Sequence, residues 1–206
     1  MLSDVPWWTR QGTSACLCGC AHWLYFGADE QLEALRISWA YDEFITLILF
    51  ESLNLDQDGD GQFNDTDRAA IIEGETNWDS AYKGDVYLEF AGQDYPLGRP
   101  EAAAVTLNNN QVEVSFDLPL SQPVRIDTAP VFLRLYDPFF YFAYTIVPAI
   151  APTDLPEDCQ AQIVPFEPNA AESALQDKLA ALGREDIPAV ENVGRLFSDE
   201  VQLTCG

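Results

Sequence analysis

Residues 56–67 read DQDGDGQFNDTD, a run that puts oxygen-bearing side chains at alternate positions ahead of a glycine. Asp56, Asp58 and Asp60 match the first, third and fifth positions of an EF-hand-type metal loop. Gly61 stands at the sixth position, where the chain must turn sharply. Gln62 would offer its main-chain carbonyl, Asn64 a contact that often runs through water, and Asp67 the closing carboxylate. An all-oxygen donor set of this kind suits Ca²⁺, with Mg²⁺ as the alternative. Glutamate is usual at the last position. The shorter Asp67 reaches an ion less easily with both oxygens, so the expectation is weaker Ca²⁺ binding or a shift towards six-coordination. Carboxylates at four ligand positions repel one another without a cation. The competing reading is an acidic, Asx-rich surface loop. Phe63, at the eighth position, is expected to pack inward. No second loop of this type occurs, and a lone one more often steadies a fold than switches it.

Few other residues could carry chemistry. His22 is the one histidine, in a segment with no catalytic pattern. Gly-x-Ser-x-Gly, a phosphate-cradling glycine loop and a His/Glu metal motif are all missing from the sequence. The expectation is therefore a protein that is not an enzyme, with no catalytic residue singled out. Cys16, Cys18 and Cys20 are spaced more tightly than a Cys-x-x-Cys metal clip. Cys159 and Cys205 look like a disulfide closing the C-terminal segment, which implies an oxidising compartment; two unrelated buried thiols are the alternative. Two aromatic-acidic clusters, WAYDEF (39–44) and LYDP (135–138), are read as a strand-to-helix corner and a strand-to-turn corner.

Composition narrows the function classes. With 34 acids against 10 bases the net charge is −24, which repels phosphate backbones and argues against a nucleic-acid partner. Apolar residues make up 48% of the 206, enough for one ordinary domain with a sizeable core. The apolar runs at 44–50 and 139–148 are too short to span a bilayer, so direct membrane insertion is not expected. The opening stretch, MLSDVPWWTRQGTSACLCGC, carries no recognisable export signal.

These residues must be held by a frame. LEALRISW (32–39) suits a strand. DEFITLILFESLN (42–54) is β-branched enough for a buried strand, but the metal loop that follows asks for an incoming helix, and its acidic start supports one. DTDRAAIIEGETNWDSAY (65–82) reads as the outgoing helix, weakened at Gly74 by about 1 kcal/mol relative to Ala. Short alternating segments follow: VYLEF (86–90), AAVTL (103–107), VEVSFDL (112–118), PVRID (123–127), VFLRLYD (131–137) and YFAYTIV (141–147). Asn108-Asn109-Asn110 predicts a hairpin between the second and third. ESALQDKLAAL (172–182) predicts a C-terminal helix, and VQLTC (201–205) a last strand pinned to Cys159. The fold class is α+β, a mainly antiparallel sheet or sandwich with an EF-hand-like insertion at about 42–82. Residues 27–206 form one domain after an atypical segment 1–26.

WAYDEF, the acidic loop, DLPL (117–120), LYDP, and Cys159 with VQLTC occur in an order that resembles a bacterial family of unknown function over about residues 31–205. Its members are exported proteins described as periplasmic components of an uncharacterised ABC-type transport system. They are often encoded beside, or fused to, nickel/cobalt-type exporter permeases. The resemblance implies a periplasmic accessory role in metal-ion transport and a membrane permease as partner. Members open with a signal peptide and a His-Pro-His-like strand, and nothing before Gly27 matches either. A wrong start codon or reading frame before about Phe26 would explain the difference. The expected protein is thus a periplasmic, non-enzymatic Ca²⁺-binding accessory of a metal transporter. The alternatives are an envelope structural module or a hydrolase with a structural Ca²⁺.

Overall fold

The computed structural model describes residues 16–80, 82–127, 129–147, 155–182 and 186–206, with side chains from residue 24 onward. The chain is α+β. Two five-stranded sheets share one buried apolar cluster. In chain order the first strands are β1 (Cys16–Phe26) and β2 (Leu32–Ala40), followed by the helices α1 (Glu43–Ser52) and α2 (Asp65–Thr76). Next come β3 (Val86–Phe90), β4 (Gln93–Tyr95), β5 (Glu101–Asn108), β6 (Gln111–Val124), β7 (Val131–Leu135) and β8 (Ala143–Tyr144). The chain closes with β9 (Cys159–Val164), α3 (Ala170–Ala180) and β10 (Glu200–Cys205). The first sheet has the order β5-β6-β2-β1-β8 and the second β4-β3-β7-β10-β9. Every pairing is antiparallel except β1 with β8. β1 pairs along the length of β2, so the first sheet begins ahead of residue 27.

Strict alternation builds β6, the spine of the first sheet. Val112, Val114, Phe116, Leu118 and Leu120 point inward and are buried, while the residues between them are half-exposed. Each such side chain contributes about 1.5–3 kcal/mol through burial. The outward face is held by charge, with Arg36 of β2 gripping Asp117 of β6 through two bonds of 2.6 and 2.7 Å. The β5–β6 hairpin turns on Asn109 and Asn110, whose φ of 51° and 59° are what a two-residue type I′ turn demands. The second sheet buries Val86, Leu88, Val131, Leu133, Leu135, Val201 and Leu203.

Several elements differ from the sequence expectations. The outgoing helix ends at Thr76 instead of reaching Tyr82, because Trp78 leaves the helical path to stack against Trp39 and meet Phe116 edge-on. PVRID is no separate strand: β6 runs unbroken through Pro119 and Pro123 to Val124. It tolerates Pro119 because β5 has ended and residues 96–98 take over as the neighbour, with Gly98 donating to the Pro119 carbonyl at 2.7 Å. YFAYTIV shrinks to the two residues of β8, since the Asp137 carboxylate claims the N–H groups of Phe139, Tyr141 and Phe142 for a tight corner. VFLRLYD likewise stops at Leu135.

Cys205 lies directly opposite Cys159 across β10 and β9, Cα atoms 4.0 Å apart, and the two form a disulfide. No helix among the described residues is long and apolar enough to cross a membrane.

Candidate metal loop and a buried tyrosine–carboxylate cluster

The acidic loop joins two helices that are both fixed to the β5–β6 hairpin. Asp42 caps α1 by accepting the Ile45 N–H at 2.7 Å. Buried Thr46 then accepts the Val112 N–H of β6 at 3.1 Å, so α1 is hydrogen-bonded to the sheet. Arg68 of α2 donates to the Val105 carbonyl of β5 at 2.9 Å. Leu55 and Phe63, buried at the two ends of the loop, anchor it to the core, and Phe63 packs on Phe50 with ring centres 5.2 Å apart. Phe63 thus packs inward, as its position in the motif requires.

Between these anchors the chain bends through Asp56, Gly59 and Gly61, all at positive φ. At Gly61 this conformation is one a side chain would strain. Asp56 accepts the N–H groups of Asp60 and Gly61, and Asp60 accepts that of Gln62. These bonds fold the loop over itself, and ligand oxygens of Asp56, Asp58 and Asp60 come within 4.8 Å of one another. At such separations each like-charged pair costs roughly 1 kcal/mol in water and several near a protein surface.

The remaining predicted ligands have a second duty. Asn64 is the N-cap of α2, its Oδ1 accepting from Thr66 and Asp67. Asp67 is buried, and its two oxygens accept the N–H groups of Asn64 at 3.0 Å and Asp56 at 3.3 Å. Gln62 is exposed. Asp56, Asp58 and Asp60 form an all-oxygen group of the kind a hard divalent cation takes, and Asp67, engaged with the main chain, is not part of that group. Cys16, Cys18, Cys20 and His22 lie on β1, and their side chains fall outside the described residues.

A second cluster escaped the sequence reading. Asp85, in the turn just before β3 and buried, accepts the Tyr144 hydroxyl at 2.8 Å and a hydrogen bond from Tyr82. Burial is the first cause of its raised pKa, about 7, and the neighbouring Asp137 charge is the second; the two tyrosine bonds pull the other way. Tyr41 donates to Glu75 at 2.5 Å, and burial holds the Glu75 carboxyl above its ordinary value despite that bond. The hydroxyls of Tyr41, Tyr82 and Tyr144 are pushed upward by burial and by these carboxylates, so they stay protonated donors. WAYDEF and LYDP were visible as corners, and Asp42 and Asp137 do cap those corners. The sequence holds no sign that Tyr41 and Asp137 meet around Asp85, because the partners come from four separate stretches.

The two clusters share α2. Asp67 in its first turn closes the acidic loop, and Glu75 in its last turn holds Tyr41.

Comparison with known proteins places the chain without adding an activity. It is 26% identical over 109 residues to an uncharacterised protein of Haemophilus influenzae, and the match covers 52% of each chain. The chain therefore spans about half the length of that curated relative. No solved structure matches. The profile of a family described as "Protein of unknown function (DUF1007)" matches residues 21–205, and the chain belongs to that family.

Proposed function

We propose that this protein is a non-enzymatic Ca²⁺-binding protein of the periplasm, in which the ion braces α1 and α2 against the sheet in service of a metal-ion transport system. The observation that carries the Ca²⁺ reading is the convergence of Asp56, Asp58 and Asp60 within 4.8 Å on a loop closed by Asp67. Gln62 and Asn64 complete the ligand set, and Mg²⁺ is the alternative ion. A structural role for the ion is supported by the solid anchoring of both helices, which leaves little to switch. An oxidising compartment is supported by the Cys159–Cys205 disulfide. The transport role and the permease partner rest on the sequence resemblance alone.

Calorimetry tests the ion: one Ca²⁺ site in the wild type, none in the Asp58→Ala, Asp60→Ala double variant. Equal binding by both proteins would remove the loop from the reading. A pull-down from membranes with and without Ca²⁺ tests the permease.

A hydrolase with a structural Ca²⁺ is the second reading. It is favoured by Asp85, a buried carboxyl hydrogen-bonded by Tyr144 with Asp137 beside it, whose burial raises its pKa towards that of a proton-transfer group. Turnover of nitrophenyl esters or phosphates that is lost in Asp85→Asn would favour it over the first.

A further inference from the structure

A cleft of about 320 Å³ opens where the two sheets meet, a volume in the range of small-molecule sites. One wall comes from the second sheet, through Tyr87 of β3 and Tyr95 of β4. The other is the segment 96–99, which hydrogen bonds from Gly98 to Pro119 and from Ser121 to Pro96 tie to β6 of the first sheet. Trp78 closes the end, and its ring lies so near Gly84, at φ 68°, that a Cβ there would fall 2.1 Å from it. Tyr95 is fixed by its hydroxyl bond to the Gln122 carbonyl at 2.9 Å, and Tyr87 by stacking on Tyr136 at 3.9 Å. The aromatic walls are preformed.

The charge of the cleft runs against that of the chain. The protein carries 34 acids and 10 bases, yet the lining holds Lys83 and Arg99 against one acid, Asp94. Lys83 and Asp94 stand 3.9 Å apart, and both are exposed. Arg99 has no ionic or hydrogen-bonding side-chain partner among the described residues. A guanidinium over an aromatic cleft offers two parallel donors to a carboxylate or sulfonate. Elsewhere the protein's field turns anions away.

From this geometry we infer that the cleft binds a small organic anion, its acidic group on Arg99 and its flat apolar body against Trp78, Tyr95 and Leu97. This site is separate from the acidic loop and does not depend on bound Ca²⁺.

Two fluorescent probes of like body test it: anilinonaphthalene sulfonate, an anion, and N-phenylnaphthylamine, which is neutral. The wild type should bind the sulfonate at one site per chain. Arg99→Ala should weaken the sulfonate about tenfold and leave the neutral probe within about twofold, and Arg99→Lys should recover most of the loss. Arg99 is exposed and has no side-chain partner among the described residues, so neither variant endangers the fold. No saturable binding of the sulfonate to the wild type, sulfonate binding indifferent to Arg99→Ala, or an equal loss for both probes would each overturn the assignment.

Discussion

The carboxylate of Asp67 reaches back over the acidic loop to the main-chain N–H of Asp56, 3.3 Å away, while its other oxygen takes the N–H of Asn64. One buried side chain therefore closes the loop and completes the capping box of α2. Replacing it separates the two tasks. Asp67→Glu keeps a capping-box acceptor and adds reach towards an ion, so Ca²⁺ binding should tighten about tenfold, roughly 1.4 kcal/mol. Asp67→Ala should lower unfolding stability in EDTA by about 1–2 kcal/mol and weaken Ca²⁺ as well. Calorimetry and urea melts read the two effects. A glutamate variant that binds no better than the wild type would mean that Asp67 serves only the helix cap.

Removing the Tyr41 hydroxyl should loosen the other end of α2. Tyr41→Phe deletes the bond to Glu75 and leaves that carboxylate half-buried with its solvation unreplaced. The expected cost is about 1–3 kcal/mol at neutral pH. It should shrink at acid pH, where Glu75 takes up its proton and no longer needs the donor. A cost that stays level from neutral to acid pH would assign it to packing of the ring.

The disulfide fixes an edge strand whose side chains are mostly exposed. With its cysteines 46 positions apart in the chain, the chain-entropy argument gives a stabilisation of about 4 kcal/mol. A Cys159→Ser, Cys205→Ser variant should lose most of that in urea melts, and reductant should have the same effect on the wild type. Mass spectrometry without reductant should find Cys159 joined to Cys205. Two free thiols would withdraw the support for an oxidising compartment.

What could be read from the sequence was local. The helices flanking residues 56–67, the alternation from Val112 to Leu120 and the Asn109-Asn110 turn each depend on neighbours within a few residues, and the structure has a helix–loop–helix, a buried-row strand and a hairpin there. Misread elements were overridden by distant partners. Trp78 ends α2 early because Trp39 and Phe116 offer it a berth, and Asp137 curls 139–142 into a corner that a strand-like composition conceals. The Asp85 cluster and the cleft were not legible at all. Tyr41, Tyr82, Asp85 and Tyr144 are unremarkable where they stand in sequence, and only the docking of the two sheets brings them together.

Asp85 should make stability fall as pH rises. Its carboxyl has a pKa of about 7 in the folded chain and near the ordinary 3.8 when unfolded. Between those values the folded state holds a proton that the unfolded state has released, so raising the pH favours unfolding. The contribution is fully present below about pH 4 and is lost as pH climbs through 7; a difference of this size corresponds to about 4 kcal/mol. Asp137 and the hydroxyls of Tyr41, Tyr82, Tyr87 and Tyr144 surround the group, and of these the tyrosines stay protonated across the window. Asp85→Asn removes the titration yet keeps an acceptor for Tyr144, and asparagine tolerates the φ of 54° found there. Urea melts in EDTA, which removes the metal loop from the comparison, should therefore show the variant more stable than the wild type at pH 8 by a few kcal/mol. At pH 4.5 the advantage should be largely gone. A difference that does not change with pH would mean that Asp85 is ionised in the fold throughout, and that Tyr144 and Tyr82 outweigh its burial.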